Sequence, residues 1–359
     1  MSKDKRVALA QKIEQLMKDN EHRPKQCTPE WLIEKQETIG GSSLYAAVHT
    51  TKSYLSNRTF NGNLYTQWGN IFEPVIETYS ERRFFTKIYG TDIGAIPSYV
   101  PHFAYSMDGI GVVGSKIMLF EFKCPWSRLP SDSVPKQYEY QVKAGLDTFD
   151  IAQKGVYAEA VFRACSLEDL RNNINAPVHK VDMKGKQPRY DSPMGHGLIC
   201  FYSTKQNKYD KHVFCGKNDI TDIIYQHKDE IVQIWEIPII LPENEAPTKA
   251  QDTLEFDLGD YDSEEDDKPT QVLKYNVYSQ ICDFAIFCEK NNYVNVGVMP
   301  YKLYEYNVIA VKKEKGFLLK YADKIAEVAK LKREIYKKAE QEIEDLLASI
   351  DDCAITEET

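Results

Sequence analysis

The sequence predicts an α/β fold, a sheet flanked by helices, and three consecutive stretches carry that prediction. Residues 110–113 and 117–122 are apolar runs on either side of Gly114-Ser115, a small-residue pair suited to a tight hairpin turn. Residues 134–149 then read as a helix that begins after Pro135, with Tyr138, Gln141 and Gly145 on one face at i, i+3 and i+7. Residues 156–164 (Val-Tyr-Ala-Glu-Ala-Val-Phe-Arg-Ala) follow as a further core strand, closing a sheet with helices against it.

Composition sets the outer bounds. With 359 residues, 42% hydrophobic and 12% aromatic, the chain can bury an ample core and is not a disordered sequence. The N-terminus lacks the apolar stretch of a signal peptide and no segment reads as a bilayer span, so an intracellular, cytoplasmic protein without membrane contact is expected. The eight cysteines form no Cys-x-x-Cys pair, which favours reduced thiols over a disulfide frame or a zinc site. A net charge of −9 argues at first against nucleic acid as a partner. Between Asp252 and Asp267, however, lie nine acids with no Lys or Arg, and without them the remainder is neutral. A local basic groove is therefore permitted.

Taken in order, residues 4–19 read as a helix with Val7, Ile13 and Leu16 among charges, packing weakly or serving as an arm. Residues 22–28 form a linker around Pro24, and Thr28 is an N-cap with Pro29 at the first helical position. Gly40-Gly41 and Ser42-Ser43 then lead into an apolar run, a loop entering a helix N-terminus where free N–H groups favour an anion; a plain serine cap has the same pattern. Residues 64–80 look helical, with Pro74 marking a start or a kink. Residues 84–89 read as a strand. Beyond the core, residues 198–203 and 212–215 suggest a hairpin, and Lys180, Lys184, Lys186 and Arg189 form a basic loop. Residues 317–350 read as a long flanking helix whose coiled-coil seam is broken at Lys332 and Ala339. The expected organisation is an N-terminal helix and linker (1–27), a core with insertions (28–242), an acidic linker (243–270) and a C-terminal region packed on the core (271–359).

The hairpin carries the chemistry. Glu121 and Lys123 are two residues apart on its second strand and share a face; Pro125 ends the ladder because it has no N–H to give. Asp108 opens the first strand, where antiparallel pairing brings it near Glu121. Asp-Gly is also an ordinary turn signal, and Glu-x-Lys an ordinary surface ion pair. Two carboxylates converging beside a lysine nevertheless make a hard-oxygen site for Mg²⁺.

Four blocks resemble one family in order and spacing. Trp31, Lys35 and Ser42 fit a W-x3-R-x6-S opening; Gly69 and Glu73 fit G-x3-E; Asp108, Glu121 and Lys123 fit PD-(D/E)xK; Pro135, Tyr138 and Gln141 fit P-x2-Y-x2-Q. The chain thus resembles the lambda exonuclease and YqaJ-type viral recombinases of the PD-(D/E)xK nuclease superfamily, most like members from large DNA viruses. Met107 stands where the motif has proline, and Lys35 where it has arginine, supplying charge without a bidentate fork.

The resemblance implies a restriction-endonuclease-like core with a mixed central sheet, and a Mg²⁺-dependent 5′→3′ exonuclease on double-stranded DNA, with Mn²⁺ as a substitute ion. It implies a role in viral DNA recombination, repair or replication in the host cytoplasm. Catalytic roles fall to Asp108, Glu121, Lys123, Glu73 and Gln141, with metal ligands Asp108, Glu121, Glu73 and the Phe122 carbonyl. Lys35, Ser42 and Ser43 would bind a 5′-phosphate, and Tyr138 would contact DNA. The basic loop of Lys180, Lys184, Lys186 and Arg189, by its composition, is a candidate DNA contact or, equally, a solvated loop. The partners are DNA ends and a single-strand annealing or DNA-binding protein, with the oligomeric state open. Two other readings stand beside it: a structure-specific or restriction-like endonuclease on the same core, and a non-catalytic interaction module that uses its acidic segment.

Overall fold

The computed structural model describes residues 3–24, 28–56, 64–90, 94–126, 128–165, 196–203, 231–233 and 277–355. Helix α1 (Lys3–Asp19) is no free arm: Ile13 is fully buried in a core shared with Ile39, Leu44 and Phe103. Helix α2 (Pro29–Glu37) is capped as expected, with Thr28 Oγ1 accepting from Trp31 N at 3.3 Å. Strand β1 (Ile39–Gly40) leads through a 3-10 turn at Gly41–Ser43 into the short helices α3 (Leu44–His49) and α4 (Thr51–Ser56).

Helix α5 (Leu64–Phe84) continues unbroken through Pro74, so the proline does not mark a helix start. An interior proline costs about 3 kcal/mol. Here Pro74 is exposed, while Phe72, Val75 and Ile76 around it are fully buried, each contributing roughly 1.5–3 kcal/mol. Burial wins. Because α5 continues to Phe84, the strand expected at 84–89 is reduced to β2 (Ile88–Tyr89). Phe85 takes a positive φ of 47°, and Glu81 holds the reversal, accepting from Thr86 N at 3.0 Å through its carbonyl and from Ile88 N at 2.8 Å through its carboxylate.

Strands β3 (Gly94–Ala95) and β4 (Phe103–Ser106) precede β5 (Gly109–Val113) and β6 (Lys116–Lys123); helix α6 (Lys136–Thr148) leads to β7 (Lys154–Ala164). Strands β8 (His196–Ser203) and β9 (Ile231–Gln233), helix α7 (Val277–Asn291), strand β10 (Val294–Lys312) and helix α8 (Ala322–Ile355) complete the described chain. The small sheet has the order β1-β4-β3 and the large one β2-β5-β6-β7-β10-β8-β9. Among the described residues only β6 and β7 run parallel in the large sheet, so it is the mixed sheet of an α/β fold, with helices on both faces.

Pairing of Val113 with Lys116 leaves Gly114 and Ser115 as a two-residue loop, and Gly114 takes the left-handed φ of 54° that the turn requires. One face of the sheet places Phe120, Phe122 and Ala158 against Phe72, Ile76 and Tyr79 of α5. The other places Ile117, Leu119 and Val311 against Val142 and Leu146 of α6 and Val328 of α8. Each side chain on a strand alternates between these two cores, so a one-residue slip of register would invert both. Among the described residues no helix is long and apolar enough to cross a membrane. Of the expected hairpin, 198–203 lies within β8, while 212–215, the basic residues Lys180, Lys184, Lys186 and Arg189 and the acidic run 252–267 lie outside the described residues.

Candidate active site

Register builds the site. Gly109 pairs with Phe120, so Asp108, one residue before β5, stands opposite Glu121. Asp108 Oδ2 accepts from the Phe122 backbone N–H at 2.8 Å, which fixes its carboxylate at the strand end. The Lys123 ammonium then donates to the Phe122 carbonyl at 2.7 Å, to Asp108 Oδ2 at 3.4 Å and to Glu121 Oε1. The three oxygens expected to ligate a metal thus converge on one cation.

Electrostatics are severe because Glu121 is fully buried. Burial and the Asp108 charge push its carboxyl up, against the pull of Lys123. Burial opposes the Lys123 charge too, but Asp108 and Glu121 hold it protonated, well above the ordinary lysine range. Glu73 reaches the same cluster from α5, and burial together with Asp108, to which it is hydrogen-bonded, pushes its carboxyl up to about 7. Glu77, one turn further along α5, is pushed up to about 7 by burial and by Glu81 and Glu73. A cluster with this much negative charge is satisfied by a cation, and its donors are hard oxygens. Among the described residues no three His, Cys, Asp or Glu side chains form a ready metal cage; the oxygens that converge here belong to two carboxylates and a main-chain carbonyl.

A cavity of about 480 Å³ opens over Lys123, with Glu73, Gly69, Phe122, Arg128 and Tyr138 in its wall. The Tyr138 ring stacks on Tyr157 at 5.5 Å and lies 5.5 Å from the Lys123 ammonium. Gln141 is buried on the same helix but is not among the cavity-lining residues. Lys35 places its ammonium 4.3 Å over the Trp31 ring. Ser42 is exposed, and Ser43, next to it, makes no side-chain cap bond to α3.

Three further residues had no local signal in the sequence. Tyr105 on β4 is buried and donates its hydroxyl to Glu121 Oε2 at 3.2 Å. Its ring is accommodated by two glycines: a Cβ at Gly41 would fall 2.5 Å from it, and one at Gly145 would fall 2.4 Å away. Arg128 pairs with Glu159, which is 1% exposed and sits beside Lys123 in the β6–β7 register. Lys332 of α8, read from sequence only as a break in a seam, donates to the carbonyls of Thr38 (2.9 Å) and Lys35 and so caps the end of α2. Burial and the nearby Lys35 charge lower its ammonium to about 8.

No family model matches the chain. Protein D345L of African swine fever virus (isolate Tick/Malawi/Lil 20-1/1983) is 26% identical over 229 residues, covering 54% of this chain and 64% of the relative. The same protein from the Badajoz 1971 Vero-adapted strain gives the same identity and coverage. The chain therefore spans 64% of the length of these curated relatives. The crystal structure of the alkaline exonuclease LHK-Exo from Laribacter hongkongensis is similar with a TM-score of 0.30 and 18% identity, over 37% of this chain and 74% of that one. Its complex with dAMP gives a TM-score of 0.30 and 18% identity, over 37% and 73%.

Proposed function

We propose that this chain is a metal-dependent deoxyribonuclease that degrades double-stranded DNA from 5′ ends, using Mg²⁺ with Mn²⁺ as a substitute. The observation that carries the reading is the convergence of Asp108 Oδ2, Glu121 Oε1 and the Phe122 carbonyl on the Lys123 ammonium beside an open cavity. The four motif blocks read from the sequence support it, and the relatives are viral proteins, which fits a role in viral DNA recombination, repair or replication.

Asp108, Glu121 and the Phe122 carbonyl would hold the ion, with Glu73 behind Asp108. When bound, Mg²⁺ supplies Lewis-acid charge to the reacting phosphate and lowers the pKa of the attacking water. With those three oxygens on the ion, the Lys123 ammonium that they now hold would be released toward the cavity, where its N–H groups could meet a phosphate oxygen and offset charge as the in-line attack proceeds. Tyr105 and the Phe122 N–H hold the two carboxylates in place before substrate arrives. Glu73, hydrogen-bonded to Asp108, would orient that carboxylate toward the ion.

The test is a Mg²⁺-dependent assay on linear and covalently closed circular duplexes. Loss of the linear form alone supports the exonuclease. Cleavage of both forms supports an endonuclease on the same core, and cleavage of neither points to the interaction module.

A further inference from the structure

Tyr65 is an aromatic side chain that the packing leaves outside. It stands in the first turn of α5, 60% exposed, at the rim of the cavity that contains Lys123. Its ring meets Trp126 edge-on, with centroids 6.2 Å apart at 74°. Trp126 is half-buried and rests edge-on against the buried Trp68, 4.5 Å away at 78°. Trp68 in turn lies 4.5 Å from Phe72 in the core. A row of rings therefore runs from solvent to core, rigid at its inner end and open at Tyr65.

Sharing the cavity wall with these rings are the cations Lys123 and Arg128. Arg128 is anchored by Glu159 yet keeps 41% of its side chain exposed. Flat apolar rings and anchored positive charge in one cavity match the two halves of a nucleotide. The base gains by stacking on the rings, and the phosphate by charge-assisted hydrogen bonds. A simple apolar ligand would leave the cations unused, and a bare phosphate would leave the rings wet.

We infer that Tyr65 and Trp126 form a base-stacking subsite, which takes the nucleobase adjoining the phosphate held at Lys123 and Arg128. The inference rests on the nuclease reading and specifies which part of the strand enters the cavity. Stacking uses the π-face that every base presents, so the subsite accepts all four bases and requires that a base be present.

The test compares 5′-phosphorylated duplexes that carry either a normal nucleotide or an abasic tetrahydrofuran residue at the 5′ end. The wild type should cleave the normal end roughly tenfold faster, and Tyr65→Ala should shrink that ratio to near one by slowing only the normal end. Tyr65 is exposed, so this variant should fold; Trp126→Phe should retain most of the ratio. A separate readout avoids cleavage: a duplex with 5′-terminal 2-aminopurine, bound in Ca²⁺, should be quenched by the wild type and not by Tyr65→Ala. Equal rates on both ends, or quenching unchanged in Tyr65→Ala, would overturn the subsite while leaving the nuclease reading intact. Failure of the wild type to cleave either duplex in Mg²⁺ would strike the nuclease reading itself; quenching would still report on the subsite.

Discussion

The Tyr105 hydroxyl donates to Glu121 Oε2 at 3.2 Å, and the ring that carries it is wedged between Gly41 and Gly145. One phenol therefore joins the Gly41–Ser43 turn, helix α6 and the buried carboxylate at the centre of the site. Tyr105→Phe keeps the wedge and removes only the hydrogen bond. A bond to a charged group is worth roughly 1.5–3 kcal/mol, so divalent-ion affinity and kcat should each fall about tenfold or more, while KM for DNA and the melting temperature change little. Calorimetric titration with Mn²⁺ and steady-state kinetics read both. Wild-type values in both would show the hydroxyl idle.

The two carboxylates and the lysine should separate by readout. Asp108→Ala should abolish cleavage and leave DNA binding in Ca²⁺ detectable, because the side chain serves the cation and not the strand. Lys123→Ala should keep most of the metal affinity and lose rate by about 10²–10³, the usual cost of one transition-state donor. Full activity in Asp108→Ala would remove the basis of the proposed mechanism.

Stability should depend on pH in an unusual direction. Glu73 and Glu77 have folded-state carboxyls pushed up to about 7 from an ordinary 4.5. Between those values the unfolded chain has lost the protons that the folded chain still holds. Their stabilising contribution is therefore complete below about pH 4.5 and is lost as pH rises toward 7. In EDTA the melting temperature should fall from pH 5 to pH 8, and Glu73→Gln should flatten the fall. Added Mg²⁺ should raise the melting temperature more at pH 8 than at pH 5, since protons compete for the ligands. A flat profile in EDTA would contradict the charge cluster.

End recognition is a separate question. If Lys35 and the 42–43 serines bind a terminal phosphate, a 5′-phosphorylated duplex should be degraded on the order of tenfold faster than a 5′-hydroxyl one. Lys35→Ala should narrow the gap and Lys35→Arg should keep or widen it, because the guanidinium restores a bidentate fork. Because Lys332 holds the carbonyls of Lys35 and Thr38, Lys332→Met should narrow the same gap without touching the metal site. Equal rates on both duplexes would remove the pocket and the main support for 5′→3′ polarity.

The hairpin was legible because its signals are local. Two apolar runs, a Gly-Ser turn and a two-residue spacing suffice to place Asp108, Glu121 and Lys123 together. Thr28 as a cap and Pro135 before α6 were legible for the same reason. Tyr105 was not, because its role depends on two glycines 64 residues before and 40 after it, which only the tertiary packing brings against its ring. Arg128 and Glu159 likewise meet only through the parallel register of β6 and β7. Pro74 does not start the helix, because propensity is a weak prior beside the burial of Phe72, Val75 and Ile76. Strand length at 84–89 was overcalled because helix and strand compete for the same apolar residues until packing decides.

Strand β10 pairs with the whole of β7 through Tyr301–Lys312, yet the two strands are separated by about 130 residues of chain. During synthesis β7 therefore leaves the ribosome with one bare edge, and its apolar faces have their neighbours on only one side. At roughly 5–20 residues per second, its partner follows after about 7–26 seconds. For that interval the half-made sheet is open to pairing with another nascent chain, the hazard of any exposed strand edge. Chains halted before residue 294 should accumulate in inclusion bodies even though every proposed catalytic side chain has already been made.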